Sequence, residues 1–367
     1  MHAMFEKLSE CGQSIWYDNV RRDMIKDGSM KALFDDGILG VTSNPTIFEK
    51  AVTGSDDYDE QIRELIGQNQ DAWNIYDAIT RDDIAATADL LRPVYDRTDG
   101  VDGYVSIEVN PKLAHDMAGT LAEARRLFQT LKRPNVMIKI PGTTEGIPAI
   151  EESIATGINV NVTLIFSADV YEEIMQAYIR GLQRYTDAGN DPSRVASVAS
   201  FFVSRVDSAI DPMLAELPDG ASLQGKAAIA NSKIAYQRYL NVFGGKAFAD
   251  LKAKGARVQR PLWASTSTKN PAYSPTLYVH TLVGPDTVNT APPATIDAIR
   301  DGFDVSTTVT EDVEQAKSDL AKIESMGISI AKVTEDLREA GVNSFAKSFD
   351  QLLAAIESKR TAMADSK

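Results

Sequence analysis

Short strand-like runs in which polar and apolar residues alternate constrain the fold of this chain most strongly. In residues 104–109, which read YVSIEV, the Tyr, Ser and Glu side chains fall on one face and the aliphatic side chains on the other, because successive side chains of a strand point to opposite faces. The same alternation recurs at 14–18, 39–44 and 159–164. Each of these runs therefore carries one polar face.

The polar faces need a place inside the fold. Helical stretches separate most of the runs, which indicates parallel strands covered by helices. Polar faces then point into the interior of a closed barrel. We predict an α/β fold, a (β/α)8 TIM barrel with additional helices, whose active site lies at the carboxyl ends of the strands. The predicted strands lie near 13–18, 38–43, 103–109, 135–141, 158–165, 195–201, 260–266 and 277–283.

The chain reads as one domain. No Gly/Ser-rich or Pro-rich linker divides residues 1–367, and 43% hydrophobic composition supports a sizeable core. We predict a single barrel domain over 1–367 with helical insertions at about 46–98 and 221–255 and C-terminal helices at about 311–358.

One lysine stands in the middle of an otherwise apolar run at 136–142, which reads VMIKIPG. A buried parallel strand normally reads as continuous Val, Ile and Leu. Burial disfavours the ammonium form of a lysine, and the neutral amine forms Schiff bases with ketones and aldehydes. Taken alone, the run favours a lysine that snorkels from a strand edge or pairs with a carboxylate. The neighbouring polar faces shift the balance towards carbonyl chemistry at Lys139.

Composition narrows the classes of partner. The net charge of −14 argues against general affinity for nucleic acid or anionic membranes, although one Arg or Lys with backbone N–H groups can hold a phosphate locally. We find no apolar run long enough to cross a bilayer and no signal-peptide pattern. The single Cys11 rules out an intrachain disulfide and fits a reducing compartment. We expect a cytoplasmic protein with no nucleic-acid or membrane partner.

Other site chemistries find no support in the sequence. The three histidines, His2, His115 and His280, lack HExxH spacing, and no CxxC occurs, so we predict no metal site. Residues 220–227 read GASLQGKA and resemble a P-loop, but Ala227 replaces the magnesium-binding Ser/Thr and no strand precedes them. We interpret them as a loop entering a helix. No GxGxxG follows a strand, so no cofactor is expected.

Two long motifs resemble signatures of the transaldolase family, in its longer bacterial form. Residues 40–48, GVTSNPTIF, resemble the first signature, and residues 136–147, VMIKIPGTTEGI, resemble the second, around the family's Schiff-base lysine. Together with weaker matches, the resemblance spans roughly residues 18–270. The weaker matches lie at 107–109, 161–167, 200–205 and 264–270.

The resemblance implies a reaction and its substrates. A transaldolase transfers a dihydroxyacetone unit from sedoheptulose 7-phosphate to glyceraldehyde 3-phosphate and gives erythrose 4-phosphate and fructose 6-phosphate. This reaction belongs to the non-oxidative branch of the pentose phosphate pathway. The implied partners are phosphorylated sugars, and the resemblance leaves open a monomer or a homo-oligomer.

The resemblance also implies roles for individual residues. Lys139 would form the imine, and Asp18 would take the proton from the C4 hydroxyl. Glu108, with Thr163 orienting a water, would shuttle protons during carbinolamine formation and breakdown. The implied substrate-binding residues are Asn44, Asn161 and Ser200 for the sugar hydroxyls, and Arg205 for the phosphate, with Ser265 and Lys269 as helpers.

The chain departs from the family pattern at two places. Asn19 follows Asp18 where the family commonly has Thr, which leaves Asp23 as a weaker substitute for Asp18. Residues 265–270 are longer than a family version that has an arginine soon after its serine, so Lys269 would lack the bidentate fork of arginine. Two alternative functions remain: a Schiff-base aldolase that releases free dihydroxyacetone, and a non-catalytic barrel that binds phosphosugars.

Overall fold

The structure, a computed structural model, describes residues 1–364. Its strands are β1 (Gln13–Tyr17), β2 (Val105–Glu108), β3 (Val136–Pro141), β4 (Val160–Ile165), β5 (Ser197–Phe202), β6 (Gln259–Ala264) and β7 (Thr287–Ala291). The first helices are α1 (Ala3–Glu10), α2 (Arg22–Asp27), α3 (Ser29–Asp36), α4 (Pro45–Thr53), α5 (Asp59–Gly67), α6 (Ala72–Arg97), α7 (Met117–Leu131) and α8 (Gly146–Ile154). The later helices are α9 (Ala168–Asp187), α10 (Ser204–Ala215), α11 (Ala227–Phe243), α12 (Lys246–Ala253), α13 (Leu277–His280), α14 (Pro293–Asp301), α15 (Val313–Ser325) and α16 (Ile330–Ala364).

The strands form a parallel sheet that closes into a barrel. Their order is β1-β7-β6-β5-β4-β3-β2, and every pair is parallel. Residues 39–42 fill the gap between β1 and β2, because Val41 bridges to Tyr17 on one side and to Val105 on the other. Tyr17 N donates to Gly40 O over 2.9 Å, and Ser106 N donates to Val41 O over 3.1 Å. This segment is the eighth stave, and the predicted α/β TIM-barrel fold is confirmed.

One predicted strand is wrong. Residues 277–283 contain the short helix α13 instead of a strand, and the corresponding barrel strand is β7 at 287–291. Helix α13 contains buried Tyr278, whose hydroxyl donates to Asp207 Oδ2 of α10 over 2.8 Å. The true strand reads TVNTA and is polar on both faces, with Asn289 accepting from Thr266 over 2.9 Å. Hydrophobic periodicity therefore misses it.

The helical segments lie close to the predicted ranges. Helices α4 to α6 cover most of 46–98, α11 and α12 fall within 221–255, and α15 and α16 occupy the range after residue 311. Residues 220–223 form a 3₁₀ turn that leads into α11, as the interpretation of a loop entering a helix requires. The assignment of the whole chain to one domain stays a prediction. Within the described residues, no helix has both the length and the apolar character that spanning a bilayer needs.

The amino-terminal half of the barrel interior is filled. The Trp16 indole N–H donates to Asp102 over 2.9 Å, and Arg260 forms an ion pair with the same carboxylate at 3.1 Å. Gly40 faces the Trp16 ring so closely that a Cβ there would lie 2.5 Å from two ring carbons. Because this end is packed, open space is left at the carboxyl ends of the strands.

Helix α16 packs beside that open end. The Thr46 hydroxyl in α4 donates to Ser348 over 2.8 Å, and Lys112 pairs with Asp350 at 2.5 Å. In the first half of α16, Gly341 lies against Leu164 of β4, and a Cβ there would be 2.7 Å from a Leu164 methyl. The helix thereby contributes side chains to the cavity described next.

Candidate active site

A cavity of about 600 Å³ opens at the carboxyl ends of the barrel strands, where (β/α)8 enzymes place their active sites. Most of the residues predicted from the sequence line it: Asp18, Asn44, Lys139, Ser200, Arg205, Ser265 and Lys269. The remaining three, Glu108, Asn161 and Thr163, are buried on the adjoining strands β2 and β4. The structure therefore brings the predicted residues to one end of the barrel.

Lys139 lies at the centre of this arrangement. It occupies a strand between β2 and β4 and is opposite Glu108 in the register of β2 and β3. Its Nζ lies 3.7 Å from Glu108 Oε2 and donates to the backbone oxygen of Ser43 over 3.2 Å. Lys139 is 4% exposed and Glu108 is 7% exposed. This position contradicts a lysine that snorkels from a strand edge. The carboxylate partner exists, and Lys139 lines the cavity while Glu108 is buried beside it.

Glu108 is placed to exchange protons. Burial raises its pKa from 4.5 to about 7, against the opposing effect of the Lys139 charge. Its Oε2 accepts no hydrogen bond from residues 1–364, and buried Thr163 Oγ1 has no hydrogen-bond partner there either. A buried polar atom normally has a partner. Each of these two atoms can therefore take a hydrogen bond with a water or a substrate group.

Asp18 comes directly after β1 and stands at the cavity wall. The Thr42 hydroxyl donates to Asp18 Oδ1 over 2.7 Å, and Thr42 is also 2.6 Å from the hydroxyl of Thr290. Burial raises the pKa of Asp18, while Lys139 opposes that shift. Asp23, the substitute considered from the sequence, lies on α2 in an exposed pair with Arg21 and does not line the cavity. The geometry favours Asp18.

Amide and hydroxyl groups surround the lysine. Asn44 caps α4 by accepting from Ile47 N over 3.0 Å through Oδ1, which leaves its side-chain NH₂ for the cavity. The Ser200 hydroxyl donates to Asn161 Oδ1 over 2.7 Å, and Asn161 Nδ2 donates to Ser106 Oγ over 2.9 Å. Ser200 lines the cavity, whereas Asn161 supports it from behind. These groups can orient a polyhydroxylated ligand.

Positive charges gather at one side of the cavity. Arg205, at the start of α10, lies over the Phe202 ring at 5.0 Å, and burial lowers the pKa of its guanidinium. The Lys269 ammonium donates to Ser267 Oγ over 2.7 Å. Partial burial and the charges of Arg205 and Lys50 lower the pKa of Lys269. Such a cluster suits a dianionic phosphate.

Several residues that line the cavity were not predicted from the sequence. Lys50 lies six positions beyond Asn44 on α4, and a helix beginning at the barrel mouth is the signal that could have identified it. Thr290 belongs to the strand that periodicity missed. Ser344 and Phe345 come from α16, and no local pattern connects that helix to the cavity. Within residues 1–364, no three His, Cys, Asp or Glu side chains converge as a metal site.

Comparisons with known proteins agree with this geometry. The family model for transaldolase and fructose-6-phosphate aldolase matches residues 15–356. A transaldolase of Parafrankia sp. is 48% identical over 360 residues, covering 97% of this chain and 98% of the relative. Transaldolase 1 of Streptomyces coelicolor is 48% identical over 355 residues, covering 96% and 93%, and a transaldolase of Thermobifida fusca is 46% identical over 357 residues, covering 96% and 97%. The chain belongs to the transaldolase/fructose-6-phosphate aldolase family.

Proposed function

We propose that this protein is a transaldolase of the cytoplasm. It transfers a dihydroxyacetone unit from sedoheptulose 7-phosphate to glyceraldehyde 3-phosphate and yields erythrose 4-phosphate and fructose 6-phosphate, in the non-oxidative branch of the pentose phosphate pathway. The observation that carries the proposal is the buried Lys139 amine, which faces the cavity 3.7 Å from Glu108. The relatives named transaldolase, which align over nearly the whole chain, add support.

The first step joins the donor ketone to the enzyme. The Lys139 nitrogen attacks the ketone carbon and forms a carbinolamine. Glu108 then protonates the departing hydroxyl, so that water leaves and an imine remains. A water held between Glu108 and Thr163 carries the protons, since both side chains offer an unpartnered buried oxygen within the described chain. The same groups operate in reverse when the product imine is hydrolysed.

The second step breaks a carbon–carbon bond. Asp18 takes the proton of the C4 hydroxyl, the C3–C4 electron pair moves towards the protonated imine, and erythrose 4-phosphate leaves as an aldehyde. An enamine of dihydroxyacetone remains on Lys139. Its carbon attacks the aldehyde carbon of glyceraldehyde 3-phosphate, and Asp18 returns the proton to the new hydroxyl. The hydrogen bond that the Thr42 hydroxyl donates to Asp18 Oδ1 over 2.7 Å holds the carboxylate in place for both proton transfers.

The remaining cavity residues hold the substrate. Asn44 and Ser200 bind sugar hydroxyls, with Asn161 fixing Ser200 from behind. Arg205 binds the phosphate through its guanidinium fork. Ser265, Lys269 and Lys50 complete the phosphate site, since all three line the same cavity. In this chain, the two lysines supply positive charge without the bidentate geometry that a second arginine would add.

A product assay with and without acceptor tests the proposal. With sedoheptulose 7-phosphate and glyceraldehyde 3-phosphate, we expect fructose 6-phosphate and erythrose 4-phosphate in equal amounts. With fructose 6-phosphate alone, we expect little free dihydroxyacetone. Steady release of dihydroxyacetone without acceptor would instead establish an aldolase. No product in either reaction, with fructose 6-phosphate still bound, would establish a binding protein.

A further inference from the structure

We infer that Phe345 of α16 is a specificity-determining residue that keeps solvent protons away from the three-carbon intermediate, so that transfer to an aldehyde prevails over release. The inference rests on the proposed function and adds to it a part for the C-terminal helix. None of the sequence motifs includes this residue.

The position of the Phe345 ring supports the inference first. The Lys139 nitrogen lies over the ring face, 5.7 Å from its centroid. Phe345 is 4% exposed, yet it lines the cavity together with Phe202. A three-carbon unit bonded to the Lys139 nitrogen would therefore lie within van der Waals reach of the Phe345 ring. The ring that faces the Lys139 nitrogen is apolar, whereas its other neighbours, the Glu108 carboxylate and the Ser43 carbonyl, are polar.

The anchoring of α16 supports the inference second. The helix is held beside the cavity by the Thr46 to Ser348 hydrogen bond of 2.8 Å and by the Lys359 to Asp59 ion pair of 2.6 Å. One turn beyond Phe345, the Phe349 ring packs against Tyr76 with centroids 5.1 Å apart. The helix that carries Phe345 is thus held beside the cavity by contacts within the protein.

The chemistry gives the Phe345 ring a function. After cleavage, the enamine carbon on Lys139 has two outcomes. In transfer, this carbon attacks the acceptor carbonyl and forms a carbon–carbon bond. In release, the carbon takes a proton, and the three-carbon unit becomes an iminium ion. Water then adds at the iminium carbon, the C–N bond breaks, and dihydroxyacetone leaves. Release consumes the one water that imine formation produced. An apolar ring over the carbon limits delivery of the solvent proton that starts release.

The experiment measures the ratio of free dihydroxyacetone to transferred product at fixed acceptor concentration. We expect Phe345→Ala to raise this ratio about tenfold or more, which corresponds to a change of about 1.4 kcal/mol between the two barriers. Phe345→Leu keeps apolar bulk over the carbon and should stay within about threefold of the wild type, on the same scale. Phe349, one turn further along the helix, packs against Tyr76 and Trp73 and does not line the cavity. Phe349→Leu is therefore the matched control, with an unchanged ratio.

Three outcomes would overturn the inference: an unchanged ratio in Phe345→Ala, the same rise in Phe345→Leu as in Phe345→Ala, or the same rise in Phe349→Leu. If Phe345→Ala does not fold, Phe345→Val must raise the ratio in its place, and an unchanged ratio there overturns the inference equally. Borohydride trapping of fructose 6-phosphate on wild-type Lys139 distinguishes failure of this inference from failure of the proposed function. If the adduct forms but the variants keep the wild-type ratio, only the assignment of Phe345 is contradicted.

Discussion

At the scale of residues, the chemistry depends on a carboxylic acid and an amine that share one buried site. Glu108 and Lys139 are opposite each other on two neighbouring strands, and the Glu108 pKa of about 7 lies well above the usual value of 4.5. A group with such a pKa exchanges protons in both directions near neutral pH. Because imine formation and imine hydrolysis need opposite proton transfers, this pKa matches the proposed role.

The raised Glu108 pKa predicts a pH dependence. The free enzyme needs Glu108 as a carboxylate to accept a proton from the attacking amine, so kcat/KM should rise with pH through about 7 instead of levelling off above 4.5. The pH profile of kcat/KM measures this. A profile that is already flat at pH 6, in an enzyme that retains its fold, would contradict the role of Glu108.

Replacing the acid separates proton transfer from binding. In Glu108→Gln we expect kcat to fall about 100-fold or more, because general acid–base catalysis commonly contributes that much, while KM stays nearly constant. Single-turnover trapping of the imine should slow in parallel. A large rise in KM with kcat unchanged would place Glu108 among the binding residues instead.

Arg205 can be tested through the charge of the substrate. We expect Arg205→Ala to raise KM for phosphorylated donors about 10- to 100-fold, the range of a hydrogen bond to a charged group, and to leave unphosphorylated dihydroxyacetone donors nearly unaffected. Arg205→Lys should fall in between, since it keeps the charge and loses the fork. Arg180→Ala, an exposed arginine paired with Glu151 on the barrel exterior, is the control. Equal losses for both donor types would remove Arg205 from the phosphate site.

Sequence reasoning predicted most of the site residues at the barrel mouth but none of those on α16, for a physical reason. Alternation in a strand is local, so the inward positions of Asp18, Glu108 and Thr163 can be deduced from their neighbours in sequence. The substrate and the roles came from the family resemblance, since alternation carries no information about phosphate or ketone. Phe345 reaches the cavity through α16, and its position depends on tertiary packing against α4 and α6 that no local pattern encodes.

At the scale of elements, the barrel closes through its least regular stave. Residues 39–42, which the sequence predicts as a strand, form single bridges at Val41 instead of a long ladder. The error in the sequence prediction concerns the last strand, where α13 was taken for a strand and the polar strand β7 was missed. Burial of a stave is decided by its neighbours in the barrel, so propensity alone misplaces short or polar staves.

The close approach of Gly40 to Trp16 predicts a stability effect. A Cβ on Gly40 would meet a rigid, fully buried indole at 2.5 Å, so we expect Gly40→Ala to lower the free energy of unfolding by about 1–3 kcal/mol, the usual cost of overpacking. Urea denaturation measures the change. In Gly67→Ala, the control at the end of α5, no atom of residues 1–364 lies within 4 Å of the new Cβ, and stability should be unchanged or slightly higher. Equal stability of the two variants would contradict the packing at this stave.

At the scale of the whole molecule, the charge at the cavity is opposite in sign to the net charge. The chain carries a net charge of −14, yet Arg205, Lys269 and Lys50 concentrate positive charge at the cavity. The local field at the barrel mouth, and not the net charge, therefore attracts a phosphorylated ligand, since a cleft lined by one sign of charge focuses the field.

The prediction of a single domain implies one unfolding transition. Trp16 and Trp263 lie within the barrel staves, whereas Trp73 on α6 packs against Phe349 of α16 with centroids 5.8 Å apart. We expect tryptophan fluorescence and far-ultraviolet circular dichroism to report the same midpoint in urea. Variants that keep only Trp73 or only Trp16 as a fluorophore should agree as well. Two separate midpoints would assign α6 and α16 to an independent unit.

Lys139 as the nucleophile is the central claim, and covalent trapping tests it most directly. The protein is incubated with fructose 6-phosphate, reduced with borohydride, digested and analysed by mass spectrometry. The account predicts a reduced three-carbon adduct on the peptide that contains Lys139, and none on Lys233, a lysine whose ammonium donates to Glu311 O over 2.7 Å outside the cavity. An adduct on any other lysine, or no adduct with the fold intact, would contradict it.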